Sequence, residues 1–278
     1  MVDMQQLDFS YPGKDLLFRE LSMKLEPGNI YGLLGQNGAG KTSLLKLITG
    51  LLKPRQGSCS VLEFEAEERV PHMLAEEYII PEEFQLPGIK ISEYVKINGA
   101  FYPRFDHGQF DDLMTEFKLD KNEKLSKLSY GKKKKVLLSF GLATRSKLLI
   151  LDEPTNGLDI PSKSQFRRIL ASSLTEDRIF IISTHQVRDM ESLIDPIIVL
   201  DEGHIIFNRS MEEITKNLAF KVVRNGEEPE GLLYGEEIMN GKAGIIENDG
   251  SEETRVNMEL LFNGIINKGK EINHAFKK

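Results

Sequence analysis

Cysteine is nearly missing from this 278-residue sequence, where Cys59 stands alone, and tryptophan is absent altogether. A single thiol cannot build a disulfide framework or a cysteine-lined zinc site, so the chain suits a reducing compartment and must rely on its core. Long apolar runs are missing too. The longest, Val136–Ala143, has Ser139 and Gly141 inside it, far short of the roughly 18 residues of a membrane-spanning helix. The opening residues, MVDMQQLDF, do not read as a signal peptide. Positive charge is in the minority: 36 Lys and Arg against 43 Asp and Glu leave a net charge of −7. A broad grip on a nucleic-acid backbone is therefore not expected, and no nucleic acid is expected as a partner. Neither an internal repeat nor a low-complexity tract is found. These absences exclude a secreted mini-protein, an integral membrane protein and a fibrous chain. What remains is 40% hydrophobic and 28% charged, enough to bury a full-sized core in one large domain, or one domain with an appendage.

Four short apolar runs, Ile30–Leu34, Leu148–Leu151, Ile179–Ile182 and Ile197–Leu200, lack polar alternation. Strands buried on both faces read this way, and they build mainly parallel sheets covered by helices. Thr42–Thr49 has helical spacing, with Gly50 as a C-cap and Pro54 preventing continuation. Near the N-terminus, Met4–Ser10 and Leu21–Leu25 read as antiparallel strands with a turn at Tyr11–Lys14. Residues 89–127 carry Phe101, Tyr102, Phe105, Phe110 and Phe117 at helix-like spacing and are expected to form a helical insert with these rings as its core. Glu227–Gly250 is rich in Gly and Glu, and a short helical pattern follows at Met258–Ile266. The expected division is a main domain over 1–210 and an accessory region over 211–278.

The segment from Gly35 to Thr42 fits G-x-x-x-x-G-K-[ST]. Gly35, Gly38 and Gly40 let the backbone curl, so that N–H groups, including those of Asn37 and Ala39, face phosphate oxygens. The helix that follows adds the positive end of its dipole, and Ser43 lies in its first turn. Lys41 is placed to reach the β- and γ-phosphates, and the Thr42 hydroxyl to ligate Mg²⁺. A chance match of this pattern in a chain of this composition has a probability on the order of one or two per cent. The run 148–151 then delivers Asp152 and Glu153 at its C-terminal end, where ligands bind in open parallel sheets. Asp152 suits the Mg²⁺ shell, and Glu153 is the candidate to activate the attacking water.

With these motifs in order, the chain resembles the ATP-binding-cassette family, the nucleotide-binding subunits of ABC transporters, over about residues 1–210. Leu128-Ser129-Tyr130-Gly131-Lys132 resembles the family signature LSGGQ, Asn156–Asp159 the D-loop, and His185 the switch histidine. Tyr11 stands where an adenine-stacking aromatic is usual, and Tyr78–Glu83 corresponds to the Q-loop. Local readings stand beside these: Ser129 and Asp159 also suit helix N-caps. Tyr130 replaces a glycine of the signature, Lys132 its glutamine and Glu82 the Q-loop glutamine. Such substitutions resemble those of bacterial antibiotic- and multidrug-exporter cassettes.

The resemblance implies a P-loop NTPase fold, and ATP with Mg²⁺ held by Thr42, Asp152 and Glu82. It further implies a head-to-tail pair, with itself or with a paralogous cassette. In such a pair Tyr11, the phosphate loop, Glu153 and His185 of one subunit meet Ser129 and Gly131 of the other. Lys132 is expected to reach the partner's γ-phosphate, and Lys133 and Lys134 to be a solvated helix face. A transmembrane permease on a separate chain, docked at the helical insert, would place the protein in the cytoplasm against the inner face of the membrane. The implied function is an ATPase that powers transport, in the export direction. The alternative is a soluble ATPase of the same fold in a non-transport complex.

Overall fold

The computed structural model describes residues 1–223, 231–239, 241–250 and 252–277. The chain begins with β1 (Val2–Phe9), β2 (Phe18–Leu25), β3 (Asn29–Leu34) and α1 (Lys41–Ile48). It continues through β4 (Gln56–Val61), β5 (Phe64–Glu65), α2 (Pro71–Leu74), β6 (Glu77–Ile80), α3 (Ile91–Gly99), α4 (His107–Glu116) and α5 (Tyr130–Ala143). Next come β7 (Leu148–Asp152), α6 (Ile160–Ser173), β8 (Ile179–Thr184), β9 (Ile197–Asp201) and β10 (His204–Arg209). The last elements are α7 (Met211–Asn217), β11 (Leu218–Val223), β12 (Leu232–Ile238), β13 (Gly241–Glu247) and α8 (Met258–His274). All four apolar runs are strands. Two compact units result: Met1–Ile30 with Thr42–Ser183, and Tyr31–Lys41 with Thr184–Lys278.

In the first unit, β1 pairs antiparallel with β2 and with β4, so that Val2 faces Leu25 on one side and Val61 on the other. The Tyr11–Lys14 turn closes through the Lys14 N–H on the Tyr11 carbonyl at 3.1 Å. Strands β6, β7 and β8 run parallel, with Ile150 opposite both Ile79 and Ile181. The stretch read as Q-loop is half strand: Tyr78–Ile80 belong to β6, and the loop begins at Pro81. The insert folds as α3 and α4, but its rings divide. Phe110 and Phe117 are buried, as expected of a core, whereas Phe101 is 69% exposed. Helix α5 buries Val136–Ala143 and is capped by Ser129.

In the second unit, β3 and β9 are parallel, Gly32 opposite Ile197. Strand β10, which the apolar-run criterion missed, turns back antiparallel to β9. Its residues are half-exposed or exposed except Phe207, and polar His204, Asn208 and Arg209 flank its short apolar stretch. Part of the Gly- and Glu-rich stretch, residues 227–230 and Asn240, lies outside the described residues. The remainder forms β12 and β13, which with β11 make a three-stranded antiparallel sheet in the order β11-β13-β12. The helix expected over Met258–Ile266 continues to His274 past an irregular Lys268. Its extension buries Ile272, and the Asn273 amide donates to the Ile206 carbonyl at 3.1 Å.

Candidate active site

The phosphate-loop segment of the second unit leaves β3 and curls through Gly38 (φ +86°) and Gly40 (φ +106°). Side chains with a Cβ rarely adopt that backbone. The Lys41 ammonium is turned back into this curl, donating to the carbonyls of Gly35 (2.7 Å) and Gln36 (3.2 Å). It is buried, so a cation waits inside a ring of backbone at the opening of α1. His185, in the same unit, is exposed directly beyond the end of β8.

The acidic end of β7 lies in the first unit. Asp152 faces Ser183 in the parallel register, and paired positions share a face of the sheet. The Ser183 hydroxyl accordingly donates to one Asp152 oxygen, while Thr42 Oγ1 donates to the other at 2.8 Å. A hydroxyl from α1 and a carboxylate from β7, 110 residues apart in sequence, thus meet at one point. Asp152 is only 2% exposed, and such burial is tolerable because both its oxygens are hydrogen-bonded. Tyr11 reaches the same helix, its hydroxyl 2.9 Å from that of Ser43, and its ring stands edge-on to Phe9 at 5.1 Å.

Glu153 is buried and has a φ of +45°. Its N–H donates to the Ser183 carbonyl at 3.0 Å. Glu82 is exposed, and one of its carboxylate oxygens accepts from the Asn156 amide at 3.1 Å. Asp159 caps α6 by accepting from the Ser162 N–H at 2.9 Å, and its hydrogen bonds to Ser162 hold its carboxyl below the usual range. Ser129 caps α5 through the Lys132 N–H at 3.4 Å. Gly131 lies against the turn after β7, where a Cβ would meet the Gly157 carbonyl at 2.9 Å.

One lysine of the run departs from expectation. Lys132 is exposed and lies 3.7 Å from Glu123, so it already has a countercharge. Lys134 is no solvated lysine: it is 3% exposed, its Nζ bonded to the carbonyls of Glu153 and Asn156. The missed signal is helical spacing, since Lys134 lies one turn before the buried Leu138 and so shares its inward face. Tyr130, treated in the sequence as a mere departure from glycine, stacks on Phe84 with centroids 5.1 Å apart.

A family model described as "ABC transporter" matches residues 18–156, half of the chain. The chain belongs to the ABC transporter ATP-binding family. Among curated proteins the cassette is 29% identical over 218 residues to the ABC transporter ATP-binding protein YtrB of Bacillus subtilis (strain 168), covering 77% of this chain and 73% of that one. It is 30% identical over 211 residues to a Nod factor export ATP-binding protein I of Burkholderia thailandensis, covering 74% and 69%. In fold, the cassette matches a solved ATP-binding subunit of an ABC transporter with a TM-score of 0.71 at 22% identity, over 77% and 91% of the two chains. It also matches a dimeric cassette in a post-hydrolysis state with ADP and Pi, with a TM-score of 0.66 at 18% identity, over 76% and 99%. The cassette binds and hydrolyses ATP as a transporter's ATP-binding subunit. Among the described residues no helix is long and apolar enough to cross a membrane, and no group of three or more His, Cys, Asp or Glu could cage a metal.

Proposed function

We propose that this subunit powers an exporter by closing with a second cassette around ATP and reopening after hydrolysis. The observation that carries the reading is the meeting of Thr42 and Asp152 at 2.8 Å, with Glu153 next in sequence at the strand end. A hydroxyl and a carboxylate alone do not cage a cation, but they suit Mg²⁺ whose remaining ligands are phosphate oxygens and water. Thr42 and Asp152 would hold it, with Glu82 within the same hydrogen-bonded cluster through Asn156. Bound there, Mg²⁺ supplies neutralisation of phosphate charge.

The chain's own groups do the rest. Tyr11 offers a ring face for adenine, which any aromatic plane can stack. Backbone N–H groups of Gly35–Ser43 and the Lys41 ammonium bind the phosphates by charge-assisted hydrogen bonds. Glu153 orients a water and accepts its proton as the γ-phosphate departs. His185 contacts the terminal phosphate, and Ser129, Gly131 and Lys132 do so from the opposing subunit, with Asp159 at the junction. ATP held from two sides joins the pair, and loss of the γ-phosphate loosens it. The transport path belongs to a transmembrane permease on a separate chain, which keeps the cassette on the cytoplasmic face of the membrane. Export is favoured by the Nod factor export proteins among the relatives.

The test is sizing with ATP and Mg²⁺, followed by purification from solubilised membranes. The Glu153→Gln variant is expected to run as a dimer with ATP and as a monomer without it. A partner with about six membrane spans is expected to accompany the cassette. A strictly monomeric Glu153→Gln variant at saturating ATP counts against the two-sided site.

A further inference from the structure

Lys134 is buried one turn into α5, where the other lysines of its run remain at least partly exposed. An ammonium taken out of water needs full compensation. No carboxylate pairs with it among the described residues; its Nζ is held by the carbonyls of Glu153 and, at 3.2 Å, of Asn156. Burial draws its pKa down to about 8, against the raising influence of Glu82, Glu153 and Asp152. Helix formation alone gives no reason for a cation there, because an unbranched apolar side chain would serve the helix as well.

The reason lies in what Lys134 holds. Glu153 has a φ of +45°, a left-handed backbone that is unfavourable for a residue with a Cβ. Such strain persists only where surroundings fix it, and it concentrates at functional positions. The Glu153 N–H is fixed by the Ser183 carbonyl, and the Glu153 carbonyl by Lys134. With both peptide groups pinned, the direction of the Glu153 Cα–Cβ bond, and so the origin of its side chain, is set. The same ammonium binds Asn156, whose own amide reaches Glu82. Tyr130 covers the assembly. Its ring lies 5.5 Å from the Lys134 Nζ, stacks on Phe84 at an interplanar angle of 15°, and leaves no room for a Cβ at Gly157. Its hydroxyl donates to the Glu82 carbonyl.

We propose that Lys134 is a positioning residue for ATP hydrolysis: by clamping the carbonyls of Glu153 and Asn156 beneath Tyr130, it aims the Glu153 carboxylate at the attacking water. This rests on Glu153 being the hydrolytic carboxylate. The experiment is a double-mutant cycle on the full chain, with turnover and nucleotide affinity measured separately. Lys134→Met keeps the length and removes the donors. It is expected to lower kcat about 10- to 100-fold while ATP affinity stays within about twofold. In a Glu153→Gln background the same change is expected to cost nothing further, because there is no carboxylate left to aim. Unchanged kcat overturns the proposal. So does an equal loss in the Glu153→Gln background, or affinity falling as far as turnover, since each marks a merely structural lysine. Should the Met variant not fold, Lys134→Gln keeps a donor and is expected to lose only about three- to tenfold. A loss that is undiminished by Glu153→Gln overturns the proposal there too. If Glu153→Gln alone leaves turnover intact, the general-base reading itself has failed, and that result is visible without any change at Lys134.

Discussion

Glu153 and Glu77 are both buried carboxylates of the first unit, and their surroundings make them opposites. Glu153 stands at the end of β7 among groups that fix its backbone. Replacing it with Gln removes the proton acceptor and keeps the shape, so turnover is expected to fall by about 10²- to 10⁴-fold with ATP still bound; single-turnover hydrolysis beside a nucleotide titration checks this. Lys41→Ala is expected to do the reverse, abolishing measurable ATP binding by removing the ammonium that the loop encloses. Glu77 opens β6 and has one carboxylate oxygen without a hydrogen-bond partner. Burial pushes its pKa from the usual 4.5 up to about 7, with Arg69 only partly opposing. The folded state therefore keeps this proton where the unfolded chain has lost it. Stability falls as pH rises from about 4.5 to about 7, by on the order of 3 kcal/mol, and is level above that. Glu77→Gln is expected to flatten this decline and to stabilise the protein at pH 8. Urea denaturation at pH 5 and pH 8 gives the answer, and equal pH dependence in both proteins removes Glu77 as its source.

At the scale of elements, the start of α5 links the loop after β6 to the turn after β7. The ring of Tyr130 and its hydroxyl are the link. Tyr130→Gly, which restores the usual signature residue, removes an aromatic stack and a hydrogen bond and is expected to cost about 1–2 kcal/mol. The effect is expected to be local, with amide exchange at 82–86 accelerating while exchange in β7 is unchanged. Uniform acceleration would mean that Tyr130 supports the whole unit rather than this loop. Ser129 and Asp159 cap α5 and α6, so the capping reading of both residues holds in the structure whatever part they play toward nucleotide.

For the whole molecule, the open matter is the stretch beyond residue 210. In the second unit α8 lies against β10: Asn273 bonds the Ile206 carbonyl, and the Phe276 ring stands edge-on to Phe207 at 5.6 Å. Phe207 is only 2% exposed. Removing 211–278 uncovers it at a cost of about 1.5–3 kcal/mol for that side chain alone. The truncated chain is expected to melt at least about 5 °C lower than the full chain. An unchanged melting temperature would show that the tail is an independent appendage.

The sequence by itself determined the four buried strands, the phosphate loop and the two carboxylates at the end of β7, because each is a local pattern with a local cause. Uninterrupted apolar runs have no wet face, a curled loop needs glycine, and a helix start needs a cap. Tertiary structure alone decided that the Thr42 hydroxyl meets Asp152, since that contact depends on how β7 and α1 pack. It alone decided that Tyr78–Ile80 are strand rather than loop, through pairing with β7. Strand β10 and the antiparallel sheet of β11, β12 and β13 escaped notice because none carries a long continuous apolar run: β10 and β12 are half-exposed or exposed, β11 is interrupted by Lys221, and β13, though mostly buried, is interrupted by Lys242 and Gly244. Lys134 escaped for a related reason. In a run of four lysines the residue type argues for water, and only packing against the turn after β7 supplies the carbonyls that allow one of them to be buried.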